Sequence, residues 1–320
     1  MKQLFEKLTG IIDNYDNLII MGHKDPDLDS LGASLGLYEA IEHLKKNAYI
    51  FIDTDKLEKY NSNINQAFKK MEKKIICVNE KTYTKIKGKT LIIIVDVHVA
   101  ERLEYKDIIS LYDVVVLDHH IKNKNYIKNT KFMYIDSNLS SMSELITFYD
   151  EYLNIDLDYV IATILLAGIE VDTNSFNLKT TSRTYEAAST LMEMGADSIL
   201  KQELLKETKE EYMKRANFIR NSFMINNEIA MCIVSAVTSP LELAEIAEEL
   251  LTFEDVCASF ALGKFENGNI GVSSKSLGKI DVSFYMKKLG GGGHTSNAAC
   301  EVTSKTLKEV KQELIEMIKN

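Results

Sequence analysis

Four short segments of this 320-residue sequence concentrate aspartate and histidine. Gly22-His23-Lys24-Asp25-Pro26-Asp27-Leu28-Asp29-Ser30 follows the run NLIIM. Val95-Asp96-Val97-His98 follows LIII, and Leu117-Asp118-His119-His120 follows DVVV. Gly168-Ile169-Glu170-Val171-Asp172-Thr173-Asn174 follows the apolar stretch YVIATILLA. Aspartate is poor in strand interiors and costly to bury without a partner. A cluster of carboxylates and imidazoles needs positive charge within it, and divalent metal is the economical source. This donor set suits Mn²⁺, Fe²⁺ or Co²⁺, whereas Mg²⁺ prefers fewer histidines. Two ions ~3.5–4 Å apart can bridge a hydroxide and clamp a phosphoryl group. A carboxylate such as Asp96 is suited to bridge them. Each segment also has a plain structural reading: Asp27 or Asp29 capping the helix that starts near Ser30, Asp172 closing its helix, His98 lying at the surface. Four such segments in order on one scaffold favour the chemical reading. His43, inside a helical pattern, reads as a surface residue.

A second cluster is Leu289-Gly290-Gly291-Gly292-Gly293-His294-Thr295-Ser296-Asn297. Four glycines permit positive φ and close backbone approach, so successive N–H groups can face an anion. The spacing predicts a helix just after the turn, with Ser296 or Asn297 near its cap, which would strengthen an anion site. His294 is placed to contact a phosphate or a base. Upstream, Ser273-Ser274-Lys275-Ser276 ends a strand with hydroxyls and one cation, suited to a phosphate.

The elements that must position these groups are legible. Apolar runs at 17–22, 48–53, 74–78, 91–97 and 113–118 read as strands, with helical patterns between them at 30–46 and 56–73. Continuous Ile/Val runs separated by helices predict α/β architecture, a doubly wound and mainly parallel sheet covered on both faces. Such sheets bind ligands at the carboxyl ends of their strands. Residues 140–225 are helical in pattern and end in the charged stretch KETKEEYMKRANFIRNS. Strands at EIAMCIVSAV, DVCASFALGKF and NIGVSSKSL then predict a smaller C-terminal α/β domain, closed by a terminal helix. The expected division is 1–205, a metal-binding catalytic domain; 206–225, a helical linker; and 226–320, a nucleotide-binding domain.

Composition bounds the partners. Apolar residues are 45% and charged residues 27%, as in ordinary globular proteins. Lys and Arg total 38 against 47 Asp and Glu, a net charge of −9, so no global field exists for duplex DNA or an anionic membrane. Cys77, Cys232, Cys257 and Cys300 form no C-x-x-C pair and read as reduced core thiols of a cytoplasmic protein. No apolar run reaches the ~18 residues of a membrane span. The start, MKQLFEKLTGIIDNY, reads as an amphipathic helix rather than a signal peptide. No membrane contact by this chain is expected.

These motifs, in this order, resemble the DHH phosphoesterase superfamily, named for the Asp118-His119-His120 triplet. The glycine turn with His294 resembles the DHH-associated substrate domain. The likeness covers nearly the whole chain. SSMSELI, GIEVDTNSFNLKTTSRTYEAASTLMEMGAD and VSSKSLGKIDVSFYMKKLGGGGHTSNAA are similar to the catalytic end of GdpP-type cyclic di-AMP phosphodiesterases. The resemblance implies two Mn²⁺ per chain, with Co²⁺, Fe²⁺ or Mg²⁺ as substitutes. One would be held by His23, Asp27 and Asp96, the other by Asp29, Asp96, His119 and Asp172; Asp25 is not a ligand in that pattern. His120 is implied to face the substrate phosphate, Asp118 to orient a ligand histidine, and His98 to lie within reach of substrate. Ser274, Lys275, Ser276, Gly291, Gly292, Gly293 and His294 are implied in nucleotide binding. Many relatives carry Arg where Lys275 stands, and Lys meets a phosphate as a point charge without the planar fork.

The implied activity is hydrolysis of cyclic di-AMP, a second messenger, to linear pApA and more slowly to AMP. The rivals are a nanoRNase acting on pApA and short oligoribonucleotides, and a nucleotide sensor without turnover. The partner is a cyclic or short linear dinucleotide; duplex nucleic acid is excluded and a homodimer is admitted. The expected location is the cytoplasm, as a stand-alone enzyme or as the cytoplasmic portion of a longer membrane protein.

Overall fold

A computed structural model describes every residue except Asp55, Lys56, Glu58, Lys59, Asn123 and Asn320. The chain divides into two units, Met1–Lys206 and Glu207–Asn320. The first contains α1 (Lys2–Ile12), β1 (Asn17–Met21), α2 (Leu28–His43), β2 (Asn47–Phe51), α3 (Ser62–Met71) and β3 (Cys77–Val78). It continues with β4 (Thr90–Val95), β5 (Asp113–Asp118), β6 (Phe132–Ile135), α4 (Met142–Tyr152), α5 (Tyr159–Asp172), α6 (Ser182–Glu193) and α7 (Ser198–Leu204). The helix expected over 56–73 is α3; its expected first residue, Lys56, lies outside the described residues.

The strand order is β3-β2-β1-β4-β5-β6, and every pair is parallel. Both faces are buried, which is why the strands read as unbroken Ile/Val runs. Leu18, Ile20, Leu91, Ile93, Val115 and Leu117 join the core beneath the helices. Their neighbours Ile19, Met21, Ile92, Ile94, Val114 and Val116 join a second core on the opposite face. That face is covered by short 3₁₀ turns and loop residues such as Tyr83, Leu103 and Ile108, where helices were expected. Strand order reverses between β1 and β4, which opens a crevice at their carboxyl ends.

The second unit contains α8 (Lys209–Arg220), β7 (Phe223–Met224), β8 (Ile229–Val237), α9 (Pro240–Leu250), β9 (Ala258–Lys264) and β10 (Ile270–Ser276). It ends with α10 (Val282–Lys288), β11 (Gly292–Gly293), β12 (Asn297–Val302) and α11 (Leu307–Lys319). Its sheet runs β11-β12-β10-β9-β8-β7, antiparallel except for β8 with β9. The charged helix expected as a connector is α8, which lies in this unit; Arg215 Nε donates to Glu249 Oε2 on α9 at 2.7 Å.

The helix expected after the glycine turn is not there. Residues 297–302 form β12, alternately exposed and buried, because Ala298, Cys300 and Val302 fall at period two and pack one face into the core. Among the described residues no helix is long and apolar enough to cross a membrane.

Candidate metal centre

Each acidic segment reaches the carboxyl edge of the first sheet by its own local device. His23 stands two residues past β1, and Asp96 directly follows β4, where the strand order reverses. Asp96 has φ +62°, a left-handed conformation that Asp tolerates better than branched residues do. Asp118 is the last residue of β5, so His119 and His120 follow at once. Asp172 is the last residue of α5. That helix approaches the start of α2 closely at Gly168, where a Cβ would fall 2.8 Å from Asp29 Cα. Asp27 is the N-cap of α2, with Oδ1 accepting the Ser30 N–H at 2.9 Å. Capping uses one oxygen; the other, Oδ2, lies 3.6 Å from His23 Nε2.

Asp96 sits between two sets of donors. Its Oδ2 is 3.3 Å from His23 Nε2. Its Oδ1 is 3.2 Å from His119 Nε2 and 3.4 Å from His120 Nδ1. His119 Nε2 is in turn 3.0 Å from Asp172 Oδ2 and 3.8 Å from Asp29 Oδ2. Three groups result: His23, Asp27 and Asp96; Asp29, His119 and Asp172; Asp96, His119 and His120. Within each, the donor atoms lie within 4.8 Å of one another. All six residues singled out as metal ligands are therefore brought together, and His120 joins them at the edge. Asp25 and His43 are exposed and stand outside these groups.

The electrostatics show how tightly these charges are pressed together. Burial raises the Asp29 carboxyl well above the usual carboxylate range, and the nearby Asp172 and Asp96 add to the rise. Burial also raises Asp172, although His119 opposes it. Burial alone would lower His23, but Asp27 and Asp96 push it up to about 10. His119 is raised likewise, by Asp172 and Asp96 against the effect of burial. For Asp96 burial works upward, yet His119 and His23 outweigh it and hold the carboxyl well below its ordinary value. Among the described residues, Asp96 Oδ1 and both ring nitrogens of His119 are buried without a hydrogen-bond partner. An orphaned carboxylate oxygen beside an orphaned imidazole, amid further carboxylates and imidazoles, is what a divalent metal fits.

Asp118 has two histidine partners. It is fully buried, and its Oδ1 accepts the His120 backbone N–H at 2.9 Å and lies 2.9 Å from His120 Nδ1. Its Oδ2 pairs with His98 Nδ1. The resemblance implied that Asp118 orients a ligand histidine; its partners are His120 and His98 rather than His119. His98 is 3% exposed, so it is not a surface residue, and it buttresses Asp118. Burial works to raise Asp118, but hydrogen bonds from the two histidines hold its carboxyl well below the usual range.

In the second unit the glycine turn is a strand hairpin. Gly292 and Gly293 pair with Ala299 and Ala298, and the His294 N–H donates to Asn297 O at 2.7 Å. The steric demand falls on Gly291, where a Cβ would meet Ala299 O at 2.3 Å, and on Gly293, at φ +137°, where it would meet Ala298 Cα at 2.4 Å; at Gly292 it would meet nothing within 4 Å. Ser274 Oγ donates to Ala298 O at 2.7 Å, and Ser276 Oγ accepts the Gly278 N–H at 3.1 Å. Both serines are buried; the Ser274 hydroxyl donates inside the fold and the Ser276 oxygen accepts there. Lys275 Nζ lies 3.4 Å from Glu248 Oε2.

Spacing alone does not reveal Glu144. It lies in the first turn of α4, 1% exposed, just after the two amides that bind Asp29. The S-x-x-E pattern of Ser141 and Glu144 is the available signal.

Comparison with known proteins agrees with this geometry. The model of the DHH family, N-terminal domain, matches residues 17–169, and that of the DHHA1 domain matches residues 226–320. The chain is 37% identical over 322 residues to the cyclic-di-AMP phosphodiesterase GdpP of Geobacillus thermodenitrificans, covering 97% of this chain and 48% of that one. It is 34% identical over 324 residues to the cyclic-di-AMP phosphodiesterase PdeA of Listeria monocytogenes, covering 98% of this chain and 49% of that one. The chain thus spans about half the length of these curated relatives. An exopolyphosphatase-related protein from Bacteroides fragilis superposes with a TM-score of 0.80 at 17% identity, covering 100% of this chain and 97% of that one, and shares the fold. With both models matched in order along it, the chain belongs to the DHH family, its N-terminal domain followed by a DHHA1 domain.

Proposed function

We propose that this chain is a metal-dependent phosphodiesterase that hydrolyses cyclic di-AMP to linear pApA. The observation that carries this is Asp96, whose two oxygens face separate donor sets at the strand-order reversal. His23, Asp27 and Asp96 would hold one Mn²⁺; Asp29, Asp96, His119 and Asp172 would hold the other. Bound there, two divalent cations supply Lewis-acid charge for a phosphoryl group and acidify water. His120 is 39% exposed on its side chain while Asp118 behind it is buried, so it can touch a substrate phosphate from a fixed orientation. Asp118 holds the Nδ1 proton and leaves Nε2 for the substrate. His98 keeps Asp118 in place from the other side.

Gly291, Gly292, Gly293, His294 and Lys275 of the second unit are the proposed nucleotide contacts. The four free cysteines fit a reducing cytoplasm. The test is product analysis after incubating the purified chain with cyclic di-AMP and Mn²⁺, with pApA in parallel. Metal-dependent appearance of pApA is the expected result. Cleavage of pApA alone would establish the nanoRNase reading in its place.

A further inference from the structure

Asp29 is the most deeply enclosed of the proposed ligands, and its own helix does not orient it. Its Oδ2 accepts the Met142 N–H at 2.8 Å and its Oδ1 accepts the Ser143 N–H at 2.7 Å. These are the first two amides of α4, whose N-cap Ser141 Oγ accepts the Glu144 N–H at 3.0 Å. The start of α4 therefore aims Asp29. What holds that start is the Glu144 carboxylate. Its Oε2 accepts Ser140 Oγ–H at 2.6 Å, Ser140 N–H at 3.3 Å and Thr184 Oγ1–H at 2.9 Å. Its Oε1 lies 3.4 Å from the Arg183 guanidinium. Ser140 immediately precedes the helix cap, and Arg183 and Thr184 open α6. One buried carboxylate thus ties two helix starts together directly behind a ligand.

We infer that Glu144 is a positioning residue for Asp29: it fixes the first turn of α4 and thereby serves the Asp29, His119 and Asp172 position selectively over the His23 and Asp27 position. The amides it steadies bind Asp29, whereas the side chains of His23 and Asp27 pair with each other, with Asp96 and with the start of α2. The inference rests on the reading of the cluster as a two-metal centre. Groups that orient metal ligands typically change affinity 10–100-fold when lost, and Glu144 acts through one further link, so about 10-fold is expected.

The test is Mn²⁺ titration by calorimetry of wild type, Glu144→Gln and Ser140→Ala, each also in a His23→Ala background that leaves only the Asp29 position. The dimanganese signal in electron paramagnetic resonance is followed alongside. Glu144→Gln should weaken one binding event about 10-fold and leave the other within about 2-fold. In the His23→Ala background the remaining event should weaken by the same factor, and the paired-manganese signal should need correspondingly more metal. Ser140→Ala, which removes a single hydroxyl, should repeat the effect at smaller size and carries the test if Glu144→Gln does not fold. A lower melting temperature with both events unchanged, or equal weakening of both, would overturn the inference. Fewer than two manganese ions in wild type would sink the two-metal reading itself, a result visible before any variant is made.

Discussion

The acidic cluster of the first unit and the glycine turn of the second are both dense in unusual residues, yet the fold constrains them in different ways. In the cluster, six residues converge from four sequence segments, and the five of them between 0 and 19% exposed on their side chains have their charge states shifted by burial and by their neighbours. In the turn the constraint is steric and sits at a few backbone positions, with Gly290 and Gly292 in open space. Burial explains the contrast. A carboxylate costs several kcal/mol to bury, so its type reports chemistry. A glycine reports only backbone freedom, and each one must be examined for whether it uses that freedom.

The largest effect that would sharpen this contrast is expected from Asp96→Asn. It removes the charge shared by both donor sets, so turnover should fall by about 10³-fold or more, together with manganese content. The fold should survive, since Asn also tolerates a left-handed φ. Full metal content at an undiminished rate would break the reading of Asp96 as a bridge. Next, His120→Ala should cost about 10²–10³-fold in turnover with metal retained, whereas His119→Ala should lose metal as well. Equal metal loss in the two variants would show that His120 is a ligand, as its place beside Asp96 and His119 also allows.

The pH dependence has a definite sign. In the metal-free protein His23 is raised from 6.5 to about 10, and His119 is raised too. Their pairing with carboxylates stabilises the metal-free fold fully below pH 6.5 and is lost as pH climbs through about 10. A metal requires neutral imidazole, so manganese uptake near neutral pH should expel protons. Apparent affinity should climb about 10-fold per pH unit for each proton released. Acidification of a weakly buffered solution on adding Mn²⁺ is the direct readout; its absence would place the metal away from these histidines.

The smallest effects belong to the glycine turn. Gly291→Ala should destabilise the protein by about 1–3 kcal/mol through its clash with β12, and Gly292→Ala should stay within about 0.5 kcal/mol. Thermal melts compare the two. If Gly291→Ala raises KM for cyclic di-AMP several-fold while hydrolysis of bis-p-nitrophenyl phosphate is spared, the turn contributes to nucleotide binding. Equal losses on both substrates would leave it as packing.

Much of the first unit is legible in its sequence for a physical reason. A parallel sheet buried on both faces leaves no choice but Ile and Val, and Asp or His at the end of such a run stands out at once. Legibility fades where burial is partial. β6, Phe132–Ile135, is half-buried throughout and carries no apolar run long enough to notice. β12 is misread because alanines flank its small buried residues and its period-two pattern is short. The cluster's supports are hidden for another reason. Asp29 meets Met142 and Ser143 from 113 and 114 residues away, and spacing carries no information about such a meeting. Likewise the division of Asp118 between His120 and His98 depends on how β4 and β5 lie side by side.

The left-handed backbone at Asp96 has a consequence at the level of the gene. Most replacements there would pay twice, for the lost carboxylate and for about 1–2 kcal/mol of backbone strain. Asparagine avoids the strain, and a single-base transition in either aspartate codon produces it. On the proposed function, the easiest mutational step at the centre of the site is therefore one that would silence hydrolysis and spare the fold. A variant carrying that one-base change would keep its backbone geometry at the strand-order reversal while losing the charge that both donor sets share.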